Sequence, residues 1–140
     1  MSLSQTLTTS FKQQLLQGVH DFDTDTFKVA LYTASADLND TTTAYNVATA
    51  GQVANTGNYS AGGATTATSV SVTGTVAFVN FGNVSWTAAL TARGALIYND
   101  TVVGKPAVAI LDFGADKTSV TTFTVTMPAN TSTTALIRLP

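Results

Sequence analysis

The first part of the chain carries apolar side chains at every fourth position. These positions are Leu3, Leu7, Phe11, Leu15 and Val19. A spacing of four residues keeps side chains on one face of an α-helix, with a slow drift around it. Ser4 is a suitable N-cap and Gly18 a suitable stop, so the pattern predicts a helix over residues 5–17.

Residues 27–34 alternate between two sets of side chains, which is typical of a β-strand. The following stretch, residues 35–63, is rich in Asn, Asp, Thr and Gly and shows little apolar periodicity. We expect an irregular excursion there, with a short helix near residues 44–50. Such a long irregular stretch is unusual inside a compact domain, and loops of this kind often carry contacts with other molecules.

From residue 64 onward, over residues 64–140, the pattern is that of short strands separated by turn residues. We expect strands at residues 69–72, 75–81, 84–87, 92–98, 107–113, 123–127 and 135–139. A tight hairpin turn is expected at Thr73-Gly74 and a polar turn at residues 114–117. The chain is therefore predicted to form one mainly β domain over residues 1–140. It would be an antiparallel β-sandwich or barrel, jelly-roll-like, with one N-terminal α-helix.

The composition excludes several classes of protein. The 140 residues include 27 Thr and 10 Ser but no Cys and no Glu, and only 10% are charged, against about 25% in an ordinary domain. Without Cys there is no disulfide, thiolate metal site or Cys nucleophile. The net charge is −2 and the six basic residues are scattered, so we expect no nucleic-acid partner. No apolar run reaches the roughly 18–20 residues of a membrane helix, and we expect neither a membrane span nor a signal peptide.

Three alternating acidic residues, Asp21, Asp23 and Asp25, resemble the first ligands of a calcium-binding loop. The rest of that loop is missing. Thr26 occupies the sixth position, where a glycine is required, and Tyr32 occupies the twelfth, where a bidentate carboxylate is required. We therefore expect a solvated turn and no metal site.

The sequence contains no recognisable catalytic motif. His20 is the only histidine and is next to Asp21, but the chain has no Gly-x-Ser-x-Gly nucleophile pattern. The tripeptide Asp112-Phe113-Gly114 matches a kinase metal-binding motif without the other kinase signatures, so we interpret it as a strand end. We expect no catalytic residue, no cofactor and no enzymatic activity.

Two groups of residues are candidates for contacts with another protein or with another copy of the chain. They are Leu3, Leu7, Phe11 and Leu15 on the predicted helix face, and Tyr45 and Tyr59 in the excursion. The competing interpretation of the helix face is that it covers the protein's own sheet, as amphipathic helices usually do. Trp86 and Tyr98 lie in predicted strands and are expected in the core. Arg93, inside another strand, either faces solvent or pairs with Asp112 across the sheet.

Three strings within the predicted strands are distinctive: FKVALYT at residues 27–33, ARGALIYN at residues 92–99 and AVAILDFG at residues 107–114. With the segments around them, from the helix to the last strand, they resemble a group of small structural proteins of tailed bacteriophages. The strings carry no chemical signature. The resemblance therefore implies a role in the virion but no particular binding residues.

The role that the resemblance implies is that of a capsid decoration, or cement, protein. Such a protein would bind the outer surface of the major capsid protein lattice, stabilise the head and self-associate as a homotrimer. Its assembly in the reducing cytoplasm of a host bacterium would need no disulfides. The alternative is a tail or fibre component that contacts host-surface carbohydrate through Tyr45 and Tyr59.

Overall fold

The structure is a computed structural model that describes residues 3–48 and 50–140. Within these residues the protein has ten β-strands, one α-helix and one 3₁₀ turn. Along the chain they are β1 (Thr6–Leu7), α1 (Thr9–Leu16), β2 (Phe27–Tyr32), the 3₁₀ turn (Tyr45–Val47), β3 (Ala64–Thr66), β4 (Thr68–Thr73), β5 (Val76–Phe81), β6 (Val84–Trp86), β7 (Thr91–Asn99), β8 (Ala107–Thr118), β9 (Phe123–Val125) and β10 (Ile137–Leu139).

These strands form three sheets in which every neighbouring pair is antiparallel. The largest sheet has five strands in the order β1-β8-β7-β2-β3. The second has the order β10-β5-β4, and β6 pairs with β9 alone. This arrangement confirms the prediction of a mainly β, antiparallel, sandwich-like fold with one N-terminal helix.

The main hydrophobic core lies between the five-stranded sheet, the two smaller sheets and α1, and each of them contributes large buried side chains. Examples are Phe27, Val29 and Ile97 from the five-stranded sheet, Val79, Phe81 and Ile137 from the three-stranded sheet, Trp86 and Phe123 from the two-stranded sheet, and Phe11 from α1. The predicted burial of Trp86 is therefore confirmed.

A second, smaller core covers the opposite face of the five-stranded sheet. Tyr32 and Tyr98 point to this face and pack with Leu38, which belongs to the irregular excursion. Because both faces of the sheet are buried there, residues 95–98 of β7 and the first half of β8 are continuously apolar instead of alternating. The excursion at residues 35–63 is irregular, as predicted, and serves as a covering layer of the fold.

The helix begins later than the sequence pattern predicts. Thr8, and not Ser4, is the N-cap, and its hydroxyl accepts a hydrogen bond from the Phe11 N–H at 3.2 Å. The two residues of β1, which fall inside the predicted helix, are extended because β8 offers them a free sheet edge for backbone pairing. The predicted end is confirmed, since α1 stops at Leu16 and Gly18 follows with a φ of 71°.

Strand β8 is longer than predicted, and the turn expected at residues 114–117 lies inside it. Its pairing with β7 has one register shift between Ile97 and Tyr98, is regular from Ala109 to Asp112, and resumes at Lys117. Residues 113–116 therefore bulge out of the ladder opposite a single residue, Arg93. The glycine and the polar residues at 114–117 mark this bulge. The prediction of a turn that ends the strand is wrong.

The excursion begins earlier than predicted because the Thr33 N–H leaves the ladder and donates to the carbonyl of Gly51 at 2.7 Å. The short helix expected at residues 44–50 is a single 3₁₀ turn, Tyr45–Val47. Thr49, which belongs to that prediction, lies outside the described residues. Only the existence of a short helical turn in this segment is therefore confirmed.

The hairpin that joins β4 to β5 is confirmed, with its turn one residue later than predicted. Its two-residue loop consists of Gly74 and Thr75, and Gly74 has a φ of 61°, a conformation that favours glycine. The last strand is shorter than expected. The chain forms a turn first, in which the Ala135 N–H donates to the carbonyl of Thr131 at 3.0 Å.

Candidate interaction surface

The apolar face expected on the helix is mostly used inside the protein. Phe11 is completely buried and Leu3 nearly so, although Leu3 lies before the helix and packs in the second core. Leu7 and Leu15 are half-buried against the main core. The interpretation as internal packing therefore holds for Leu3 and Phe11, whereas Leu7 and Leu15 pack on the core and keep part of their surface exposed. On α1 the large apolar side chain left open is Leu16, which is 90% exposed.

His20 follows α1 in the sequence and packs beside Phe11, with the two ring centroids 5.1 Å apart. The Asn99 side-chain amide donates to its Nδ1 at 3.1 Å, so Nε2 carries the proton and donates to Gln14 Oε1 at 2.9 Å. Burial lowers the pKa of His20, and the negative charge of Asp25 offsets part of that effect. Both ring nitrogens thus have partners inside the protein.

Tyr59, expected as a contact residue of the excursion, is buried in the main core. Its hydroxyl oxygen accepts a hydrogen bond from the Leu31 N–H at 2.9 Å. Its ring packs edge-on against Trp86 at a centroid distance of 5.3 Å. Burial raises the pKa of Tyr59 to about 12. The expectation that this side chain meets a partner is therefore wrong, because the excursion folds inward at this point.

Tyr45, the second tyrosine of the excursion, is half-buried and stacks on Tyr98 with ring centroids 4.4 Å apart. Its hydroxyl donates to Gln52 Oε1 at 2.9 Å. The Tyr98 hydroxyl donates to the carbonyl of Gly62 at 2.5 Å, and the predicted burial of Tyr98 is confirmed. These contacts attach the excursion to the sheet. The hydroxyl proton of Tyr45 is therefore already engaged in a hydrogen bond within the chain.

Several charged side chains form salt bridges with other residues of the same chain. Arg93 Nε lies 3.0 Å from Asp112 Oδ1, which confirms the pairing considered from the sequence. The backbone N–H of Gly114 and the Arg93 guanidinium hold the pKa of Asp112 below its ordinary value. Asp100 similarly pairs with Lys28 and Lys105.

The acidic turn that resembles a calcium loop is stabilised by its own hydrogen bonds. The Asp23 N–H donates to Asp21 Oδ1 at 3.0 Å, and the Asp21 N–H donates to Asp25 Oδ2 at 3.1 Å. In the described part of the chain, no group of three or more His, Cys, Asp or Glu residues is placed to hold a metal ion. The arrangement is that of a solvated turn.

The surface that remains open and apolar lies on the three-stranded sheet. On one face of this sheet, side chains from β4, β5 and β10 form two rows across the strands. The inner row is Val70, Val79 and Ile137, and the outer row is Val72, Ala77 and Leu139. Rows of this kind arise because alternate residues of a strand point to the same face.

The two rows differ in what covers them. In the inner row, Val79 and Ile137 are buried, and Leu15 lies beside them at a cavity of about 100 Å³. In the outer row, Val72 is 69% exposed and Leu139 is 55% exposed. We call these six residues the apolar rows. Their exposed members, Val70, Val72 and Leu139, form the candidate interaction surface of the protein.

Sequence reasoning missed this surface. The alternation of valine with Ser and Thr in β4 was visible and does predict a strand with one apolar face. Which strand lies at a sheet edge depends on the strand order, and a single sequence does not give that order.

Comparisons of the chain with protein-family models, with curated proteins and with solved structures found no match. No helix among residues 3–48 and 50–140 is long and apolar enough to cross a membrane.

Proposed function

We propose that the chain is a non-enzymatic structural protein of a tailed bacteriophage, and that it coats the outside of the capsid as a decoration protein. The observation that carries the proposal is where the three phage-like strings lie. Residues 27–33, 92–99 and 107–114 contribute β2, β7 and β8, which are neighbours at the centre of the five-stranded sheet. The resemblance therefore concerns one continuous structural unit and not three scattered matches.

The low charge of the chain supports this proposal. With 10% charged residues and a net charge of −2, identical copies repel one another little when they lie side by side. Lys28, Arg93 and Lys105 are moreover paired with carboxylates of the same chain. A neutral surface of Thr, Ser and Asn suits a protein that is packed at high density on a lattice.

The mechanism in this proposal is stabilisation by binding. A protein that binds only the assembled lattice stabilises it by a free energy that grows with the logarithm of its concentration divided by its dissociation constant. A standard interface buries about 800 Å² per partner, which is roughly an eighth of the 6840 Å² that this chain exposes. Several such contacts with the major capsid protein and with other copies, as in a homotrimer, would reinforce one another by avidity.

The alternative role, carbohydrate binding by a tail or fibre component, depended on Tyr45 and Tyr59. Tyr59 is buried, and Tyr45 is stacked on Tyr98 and hydrogen-bonded to Gln52. No observation on these residues favours this role, and we do not propose it.

Binding to capsids tests the proposal directly. Heads would be purified from a phage that lacks this gene, mixed with increasing amounts of the folded protein and sedimented. We expect binding that saturates at a simple ratio to the major capsid protein, together with a higher melting temperature of the heads. Heads that already carry the protein serve as the control and should bind no more. A folded protein that shows no saturable binding to the gene-deleted heads would contradict the proposal.

A further inference from the structure

Strand β4 is an unusually unprotected sheet edge. It is six residues long, contains only Thr, Ser and Val, and pairs with β5 on one side alone. The other edges are protected in the usual ways, by short length or by a charge. Strands β1, β3, β6 and β9 have two or three residues, and the three-residue β10 carries Arg138. The part of β8 that extends beyond its pairing with β1 carries Asp112, Asp116 and Lys117. The edge of β4 thus presents free backbone N–H and C=O groups with no charge or proline to block another strand.

The apolar rows extend to this edge. Val70 and Val72 are the outermost members of the two rows, and both are exposed. Arg138 points to the opposite face of the sheet, because it alternates with Ile137 and Leu139. A strand added beside β4 would therefore continue an apolar surface and meet no charged side chain on it.

The sequence of β4 is complementary to itself. If two copies of the strand pair antiparallel about a two-fold axis at Ser71, Val70 of each copy lies opposite Val72 of the other. All four valines then fall on the same face, in line with the apolar rows of both copies. Directly opposed side chains have Cβ atoms about 4.5–5.5 Å apart, so each valine would cover part of another.

We infer that a second copy of this chain binds at the edge of β4 and that the two three-stranded sheets join into one six-stranded sheet. Backbone hydrogen bonds between the two β4 strands provide the affinity, as in other cases of strand addition. The valine pairs set the register, because a slip of one residue would place them opposite side chains on the other face. The contact is isologous, since both copies use the same surface.

This inference does not depend on the proposed capsid role. A two-fold contact gives assemblies with an even number of copies. If the chain also forms homotrimers, the β4 contact links two trimers, and the even number is retained. Failure to bind capsids and failure to form even-numbered assemblies are therefore separate results.

The test compares the mass of the assembly in three proteins. The wild type, the variant Val72→Lys and the control variant Val103→Lys would be measured by light scattering over a wide range of concentrations. Val103 is 99% exposed in the β7–β8 loop, away from β4, so it receives the same charge without affecting the edge. In Val72→Lys, each lysine would lie opposite Val70 of the other copy, which brings a charge against an apolar side chain, and a lysine on an edge strand opposes the addition of another strand.

We expect an even-numbered assembly for the wild type and for Val103→Lys, and half that mass for Val72→Lys. Circular dichroism would verify that all three proteins are folded. As a second readout on the unmodified protein, the amides of β4 should exchange more slowly as the concentration rises, whereas those of the β7–β8 loop should not change. A wild type that is monomeric or odd-numbered at every concentration, or a Val72→Lys variant of undiminished mass, would overturn the inference.

Discussion

At the scale of single residues, side chains that are candidate catalytic or binding groups in the sequence form hydrogen bonds within the protein. His20 is the clearest case. Its two ring nitrogens bond to Gln14 and Asn99, and Asn99 also donates to Asp25 Oδ2 at 2.8 Å. The sequence showed only a lone histidine beside an aspartate. These partners come from α1, the acidic turn and the end of β7, and no local pattern could have brought them together.

The buried, neutral His20 predicts a loss of stability on mild acidification. Its pKa in the folded protein lies below the ordinary value of about 6.5, so between these two pKa values the unfolded chain binds more protons. The free energy of unfolding should therefore decrease as the pH falls from about 7.5 to below the ordinary pKa of about 6.5. The decrease should be smaller in His20→Gln, which does not titrate. Urea denaturation at each pH would measure both.

Asp21 and Asp112 do not obscure this pH window. Hydrogen bonds lower the pKa values of Asp21 and Asp112 below their ordinary value, so these groups titrate at more acidic pH. Asp25, the charged group that faces His20 through Asn99, is retained in both proteins. If wild type and His20→Gln lost the same stability over this window, the assignment of a neutral buried histidine would be wrong.

At the scale of elements, α1 shows which part of a sequence pattern can be trusted. The periodicity correctly placed the helix, its end at Leu16 and the inward side chains Phe11 and Leu15. It wrongly included the residues of β1, because their partners in β8 lie about a hundred positions away in the sequence. An apolar side chain at every fourth position does not distinguish a helix from a strand whose partner strand lies so far along the chain.

We predict that Phe11 is the residue that attaches α1 to the core. It is fully buried, with Phe22 at a ring distance of 6.0 Å, so Phe11→Ala should lower the free energy of unfolding by about 3–5 kcal/mol. The matched control is Leu16→Ala on the exposed side of the same helix, which should change it by less than about 0.5 kcal/mol. Urea denaturation measures both. Similar small effects of the two substitutions would mean that the helix does not pack on the core.

The inward packing of the excursion is indicated by the sequence of the strands that it covers. Residues 95–98 of β7 and the first half of β8 are continuous apolar runs, and such runs indicate a strand buried on both faces. No second sheet is predicted on the outer face of these strands, so residues 35–63 are the segment that can cover this face. Instead, their length suggested a contact role, whereas Leu38, Tyr45 and Tyr59 are used in packing within the chain.

At the scale of the whole molecule, the fold class was predictable and the strand order was not. Alternation and turn residues predicted eight of the ten strands with approximate limits, because these depend on nearest neighbours in the sequence, and they missed the short strands β1 and β3. The pairing of β2 with β7 and of β5 with β10 joins segments that are about 60 residues apart. The apolar rows and the free edge of β4 follow from that order, so the candidate interaction surface could not be predicted.

The copy number of the protein in purified virions tests the central claim most directly. It would be measured by quantitative mass spectrometry, with the major capsid protein as the internal reference. The account predicts a ratio near one to one, or another simple fraction set by the capsid lattice. A handful of copies per particle, or complete absence from the virion, would contradict a capsid decoration protein.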